Sequence, residues 1–68
     1  MDIEKVKEII KSRINATKEE YYRQEKLYKT SQRYAAPDYG WFDGRTKAFN
    51  EALELIGMID KLNNKFNN

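Results

Sequence analysis

Apolar or small side chains recur at Ile3, Val6, Ile10, Ile14, Thr17, Tyr21, Tyr28, Ser31 and Ala35, with Gln24 completing the series. The steps are threes and fours, which is the spacing of one helix face. Neither Gly nor Pro interrupts the run before Pro37, and Asp2 suits an N-cap. A first helix from about Asp2 to Tyr34 follows.

A second series runs through Trp41, Arg45, Ala48, Phe49, Ala52, Leu55, Ile56, Ile59, Leu62 and Phe66. Trp41 is in phase with residues far beyond Gly44, so the aromatic and glycine-containing stretch from Pro37 is predicted to be helical. Proline suits the first helical position, Asp38 suits the positive end of the helix dipole, and Ala36, preceding proline, is biased away from helix. The second helix is therefore expected over Pro37 to Phe66.

The two elements match in length, and the chain is expected to fold near Ala36 as an antiparallel two-helix hairpin, a single all-α domain over residues 1–68. Tyr28 would then face Gly44, Gln24 would face Ala48, Tyr21 Ala52, Ile14 Ile59, Ile10 Leu62 and Val6 Phe66. Gly40, Gly44, Ala48 and Ala52 lie four apart, and this row is read as notches that receive the tyrosines of the first helix. Thr17-Lys18-Glu19-Glu20 has the form of a capping box. It supports an alternative, a three-helix bundle with a break near residues 15–17.

A hairpin has a seam but little interior. Ile9, Leu27 and Tyr34 flank the seam of the first helix, and Leu53, Met58 and Leu62 flank that of the second. Ile9, Leu27, Leu53, Met58 and Leu62 are accordingly assigned to self-association, giving a homodimer built as an antiparallel four-helix bundle. A chain of 68 residues strengthens that expectation, since domains this short bury little surface, and with no Cys and no His neither disulfides nor a Cys/His zinc site can compensate.

The missing Cys and His also remove the commonest nucleophile, the usual neutral-pH acid/base and the usual transition-metal ligands. Gly40 and Gly44 lack the sequence context of a phosphate-binding loop, and Glu19 and Glu20 point in different directions on a helix. No enzyme, metal or cofactor is expected. No apolar run approaches a membrane span and no signal-peptide core is present, so a cytoplasmic protein is expected.

Net charge is +2, with nine basic and six acidic residues in positions 1–36 and four basic and five acidic in 37–68. The charges interleave at helical spacing, as in Glu8 with Lys11, Glu19 with Arg23 and Glu25 with Lys29, which describes a solvated helix face. Nucleic-acid binding through the basic first helix of a dimer is the alternative function. Nine aromatic residues in 68 point elsewhere. Aromatic side chains with arginine are what protein interfaces concentrate at their centres, and Tyr22 and Tyr39 fall on outward faces. Arg33, Tyr34, Tyr39, Phe42 and Arg45, around the bend, are the candidate partner-binding residues.

The segment DYGWFDGRTKAFNEALELIGMI, residues 38–59, resembles a pattern in small helical proteins of Gram-positive phages and prophages: aromatic residues, then Asp-Gly-basic, then an amphipathic helix. The resemblance covers about a third of the chain. It implies a small accessory protein that binds and modulates a host or phage protein, and it assigns no individual residue a role.

Overall fold

In the computed structural model, residues 2–31 and 33–66 are described here, Phe66 by its backbone alone. Helix α1 spans Ile3–Thr30 and helix α2 spans Tyr39–Phe66, each of 28 residues and antiparallel to the other. The fold is an all-α hairpin. Helix α1 is continuous through residues 15–17, so the three-helix alternative is excluded. Thr17 does not cap: its hydroxyl donates to the Arg13 carbonyl one turn back at 2.7 Å, an in-helix bond that satisfies the side chain without breaking the ladder.

The helix ends follow from local hydrogen bonding. Asp2 accepts at Oδ1 from the backbone N–H groups of Glu4 at 3.0 Å and Lys5 at 3.3 Å, and so caps α1. The other end comes at Thr30, four residues before the expected Tyr34. There the Thr30 hydroxyl donates to the Lys26 carbonyl at 2.8 Å, and Ser31 turns to extended geometry with its Oγ accepting from the Arg33 N–H at 3.3 Å. Hydroxyl side chains that bond the local backbone compete with continued helix.

Helix α2 begins two residues later than expected. Asp38 is its cap, accepting at Oδ1 from the Trp41 N–H at 3.0 Å and at its carbonyl from the Phe42 N–H at 3.1 Å. Pro37 therefore precedes the cap. Pro37 and Phe42 occupy the two positions of a hydrophobic staple, and both are buried. The stretch from Tyr39 to Gly44 is helical, as its phase requires.

The pairing register differs from the sequence reading. Arg45 meets Thr17, about ten positions before the Leu27 expected opposite it, and Phe42 lies against Tyr21 with ring centroids 5.6 Å apart. At the open end Lys7 pairs with Asp60 at 3.6 Å. The cause is the connection. The chain does not turn tightly at Ala36; residues 33–38 run back beside the last turns of α1, where Tyr34 and Ala35 lie next to Arg23, Gln24 and Leu27. Helix α1 consequently overhangs the start of α2, and the molecule measures 59 Å along its longest axis although each helix is only about 42 Å long at 1.5 Å per residue.

The seam is thin. Among the described residues only Ile14, Thr17, Pro37 and Phe42 are buried. The predicted face of α1 holds from Ile3 to Gln24, but Tyr28, which falls on the overhang, is exposed. On α2 the buried stripe keeps Arg45, Phe49, Ala52 and Ile56 of the expected series but is rotated toward Phe42, Leu53 and Asp60, leaving Trp41, Ala48, Leu55, Ile59 and Leu62 exposed. The glycines are not notches for the tyrosines of α1. A Cβ placed on Gly44 or Gly57 meets nothing within 4 Å, and one on Gly40 meets only Asp38 Oδ1 at 3.5 Å.

Candidate protein-interaction surfaces

The hairpin presents two chemically different sides. One carries an open cleft between the helices near the bend, lined by Lys18, Tyr21, Tyr22, Tyr39, Asp43 and Thr46. Its floor is an aromatic cluster: the Tyr21 ring packs edge-on against Tyr22 at 5.5 Å, Tyr39 at 5.8 Å and Phe42 at 5.6 Å between centroids. Edge-to-face contacts at these distances fix ring orientation as well as burying area. The Tyr21 phenol is pushed up to about 12, first by the neighbouring Glu25 carboxylate and then by burial. Glu25 in turn is held below its ordinary value, first by the Lys29 ammonium at 2.7 Å and then by the Tyr21 phenol.

A second carboxylate lies one turn earlier on α1. Glu20 accepts from the Arg23 guanidinium and from the Gln24 amide at 2.9 Å, and these bonds hold its carboxyl down at about 2. Arg23 therefore pairs with Glu20 rather than with Glu19, while the expected Glu25–Lys29 pair is present. These local bonds fix the helical turn beside the cleft.

The opposite side is marked by Arg45. Its guanidinium carbon lies 5.4 Å from the Trp41 ring centroid and 4.8 Å from that of Phe49, within cation–π range, while its Nε–H donates to Thr17 at 3.1 Å. Trp41 also meets Phe42 edge-on at 4.8 Å. Beyond this group the side chains of Trp41, Leu55, Ile59 and Leu62 are all more than half exposed.

The candidate partner-binding residues divide accordingly. Tyr39 is exposed and belongs to the tyrosine cleft, joined there by Tyr22. Arg33 is exposed on the connection, and Tyr34 lies on the other side with Arg23 and Leu27, so neither joins the cleft. Phe42 is a correction: at 6% exposure it is in the seam, because the staple with Pro37 turns it inward. Arg45 is likewise drawn into the seam by Thr17 and is only half-exposed.

Of the residues assigned to self-association, Ile9, Met58 and Leu62 are exposed, whereas Leu27 and Leu53 are half-buried within the chain, Leu27 under the returning connection and Leu53 in the rotated seam. The exposed Trp41, Leu55 and Ile59 were assigned to the seam by phase. What could have redirected them is the adjacent Phe42, which with Leu53 continues the helical spacing of Phe49 and Ile56 on the side away from Trp41.

Among the described residues no three or more His, Cys, Asp or Glu side chains are grouped as metal ligands, and no helix is long and apolar enough to cross a membrane. Lys7, Arg23, Lys29 and Lys47 each pair with a carboxylate. No protein-family model matches the chain, and no curated protein or solved structure is significantly similar to it.

Proposed function

We propose that this chain is a non-enzymatic protein-interaction module that acts by seating a surface of another protein in its tyrosine cleft. The observation that supports this most directly is the cleft itself: an ordered ring cluster whose rims, Tyr22 and Tyr39, stay exposed in a chain with almost no interior. Tyrosine combines a large rigid contact area with a polar tip at small entropic cost, and Lys18 and Asp43 at the edge supply opposite charges for orienting a partner. The radius of gyration, 16.7 Å against about 11 Å for a compact chain of this length, agrees with a part shaped to be covered.

The resemblance of residues 38–59 to small phage and prophage proteins fits this reading. It supplies a setting, a cytoplasmic accessory factor that modulates a host or phage protein.

Affinity capture with the full chain tests the proposal. A partner retained by the wild type should be lost by Tyr22→Ala with Tyr39→Ala and kept by Lys5→Ala at the open end. Equal retention by all three would remove the cleft as the binding site.

A further inference from the structure

We propose that the exposed face of α2 is the interface of a two-fold dimer, in which α2 packs antiparallel on α2 of a second copy of this chain. This rests on the reading of the hairpin as an interaction module and names the occupant of its other side.

The area calls for an occupant. The chain exposes 5823 Å², whereas a compact protein of its mass exposes about 4,500 Å². The excess of about 1,300 Å² is larger than the roughly 800 Å² that each partner contributes to a standard interface.

The pattern says which occupant. Trp41, Gly44, Ala48, Leu55, Ile59 and Leu62 fall within an arc of about 60° on α2 at 100° per residue, bordered by the half-buried Ala52 and Arg45 on the seam side and by Glu51 and Met58 on the other. Along this row the small residues sit in the first half and the aliphatic ones in the second. Reversed on itself, the row places Trp41 on the partner's Leu62, Gly44 on the partner's Ile59 and Ala48 on the partner's Leu55, and symmetry repeats each contact. An isologous interface requires this self-complementarity. A parallel alignment would set Gly44 and Ala48 on their own copies and leave voids. The same reversal brings Lys47 alongside the partner's Glu54.

Nothing of its own chain lies within 4 Å of a Cβ built on Gly44, so that position of the row is open to a side chain of the second copy.

Sedimentation equilibrium of the full chain should give the mass of two copies. Leu55→Glu should raise the dissociation constant at least tenfold, about 1.4 kcal/mol of lost association, whereas Asn50→Glu on the charged arc should leave it unchanged. Register is read with cysteine, which the chain lacks. An equimolar mixture of Ala48→Cys and Leu55→Cys chains should form a disulfide-linked pair on oxidation, and Ala48→Cys alone should not. A wild type that stays at single-chain mass, a dimer untouched by Leu55→Glu, or Ala48→Cys linking to itself as readily as in the mixture would each overturn the proposal. A single-chain wild type that still captures a partner through Tyr22 and Tyr39 would defeat this inference and leave the interaction module standing.

Discussion

Arg45 and Thr17 are joined across the seam by one hydrogen bond, Nε–H to Oγ1 at 3.1 Å, while the Thr17 hydroxyl proton is already committed to the Arg13 carbonyl at 2.7 Å. Thr17 thus accepts from one helix and donates within the other, at 6% exposure. Thr17→Val keeps the shape and removes both bonds. It should cost about 1 kcal/mol, since Arg45 is partly solvated and recovers some hydration. For a domain this small that is a fall in Tm of about 4–8 °C by circular dichroism. A double-mutant cycle with Arg45→Met should show coupling, and additive effects would dissolve the claimed link.

Phe42 and Trp41 are sequence neighbours with opposite fates, 6% and 54% exposed. Phe42→Ala should cost about 3 kcal/mol or more, enough to unfold much of so thin a hairpin at 37 °C. Trp41→Ala should cost clearly less at dilutions where only single chains are present. Thermal melts of both variants at one low concentration decide it, and a larger loss at Trp41 would restore the unrotated stripe.

Gly57 lies within α2, and a Cβ added there has open space around it. Gly57→Ala should therefore raise stability by about 1 kcal/mol, from helix propensity alone. Urea denaturation provides the reading: the midpoint should rise without a change in slope.

Two groups set the pH response. Glu20 has its carboxyl lowered to about 2 by Arg23 and Gln24, so its stabilising effect is present above the unfolded value near 4.5 and is lost as pH falls toward 2. Tyr21 has its phenol raised to about 12, so its effect is present below the unfolded value near 10 and is lost as pH rises toward 12. Tm should accordingly drop across both windows. Glu20→Gln should flatten the acid limb and Tyr21→Phe the alkaline one, as monitored by melts across the pH range.

Much of the fold was legible because α1 carries only one strong apolar stripe. Ile3, Val6, Ile10, Ile14, Thr17, Tyr21 and Gln24 could face only one way, and all are buried or half-buried. Helix α2 has two such stripes side by side, one through Phe42, Phe49 and Ile56 and one through Trp41, Leu55 and Ile59. Period alone cannot choose between stripes less than half a turn apart. The choice was made by Pro37 and Asp38: once Asp38 caps the helix, the staple position falls on Phe42 and turns the helix about its axis.

The register was out of reach for a related reason. A tight bend and a long return leave the same helical periodicities behind. The distinction lay in Thr30 and Ser31, whose hydroxyls bond the backbone and end α1 early. At the candidate site, the outward placement of Tyr22 and Tyr39 followed from phase, but the cleft they share with Tyr21 required knowing that Tyr39 lies level with Tyr21.

The overhang of α1 has a practical side. Because the Lys7–Asp60 pair joins the helices toward the open end of the hairpin, a fluorophore or a bead attached beside either residue would stand well away from the cleft. The molecule is in effect a handle with its working part set away from the hand, and it could be tethered at the open end without blunting it.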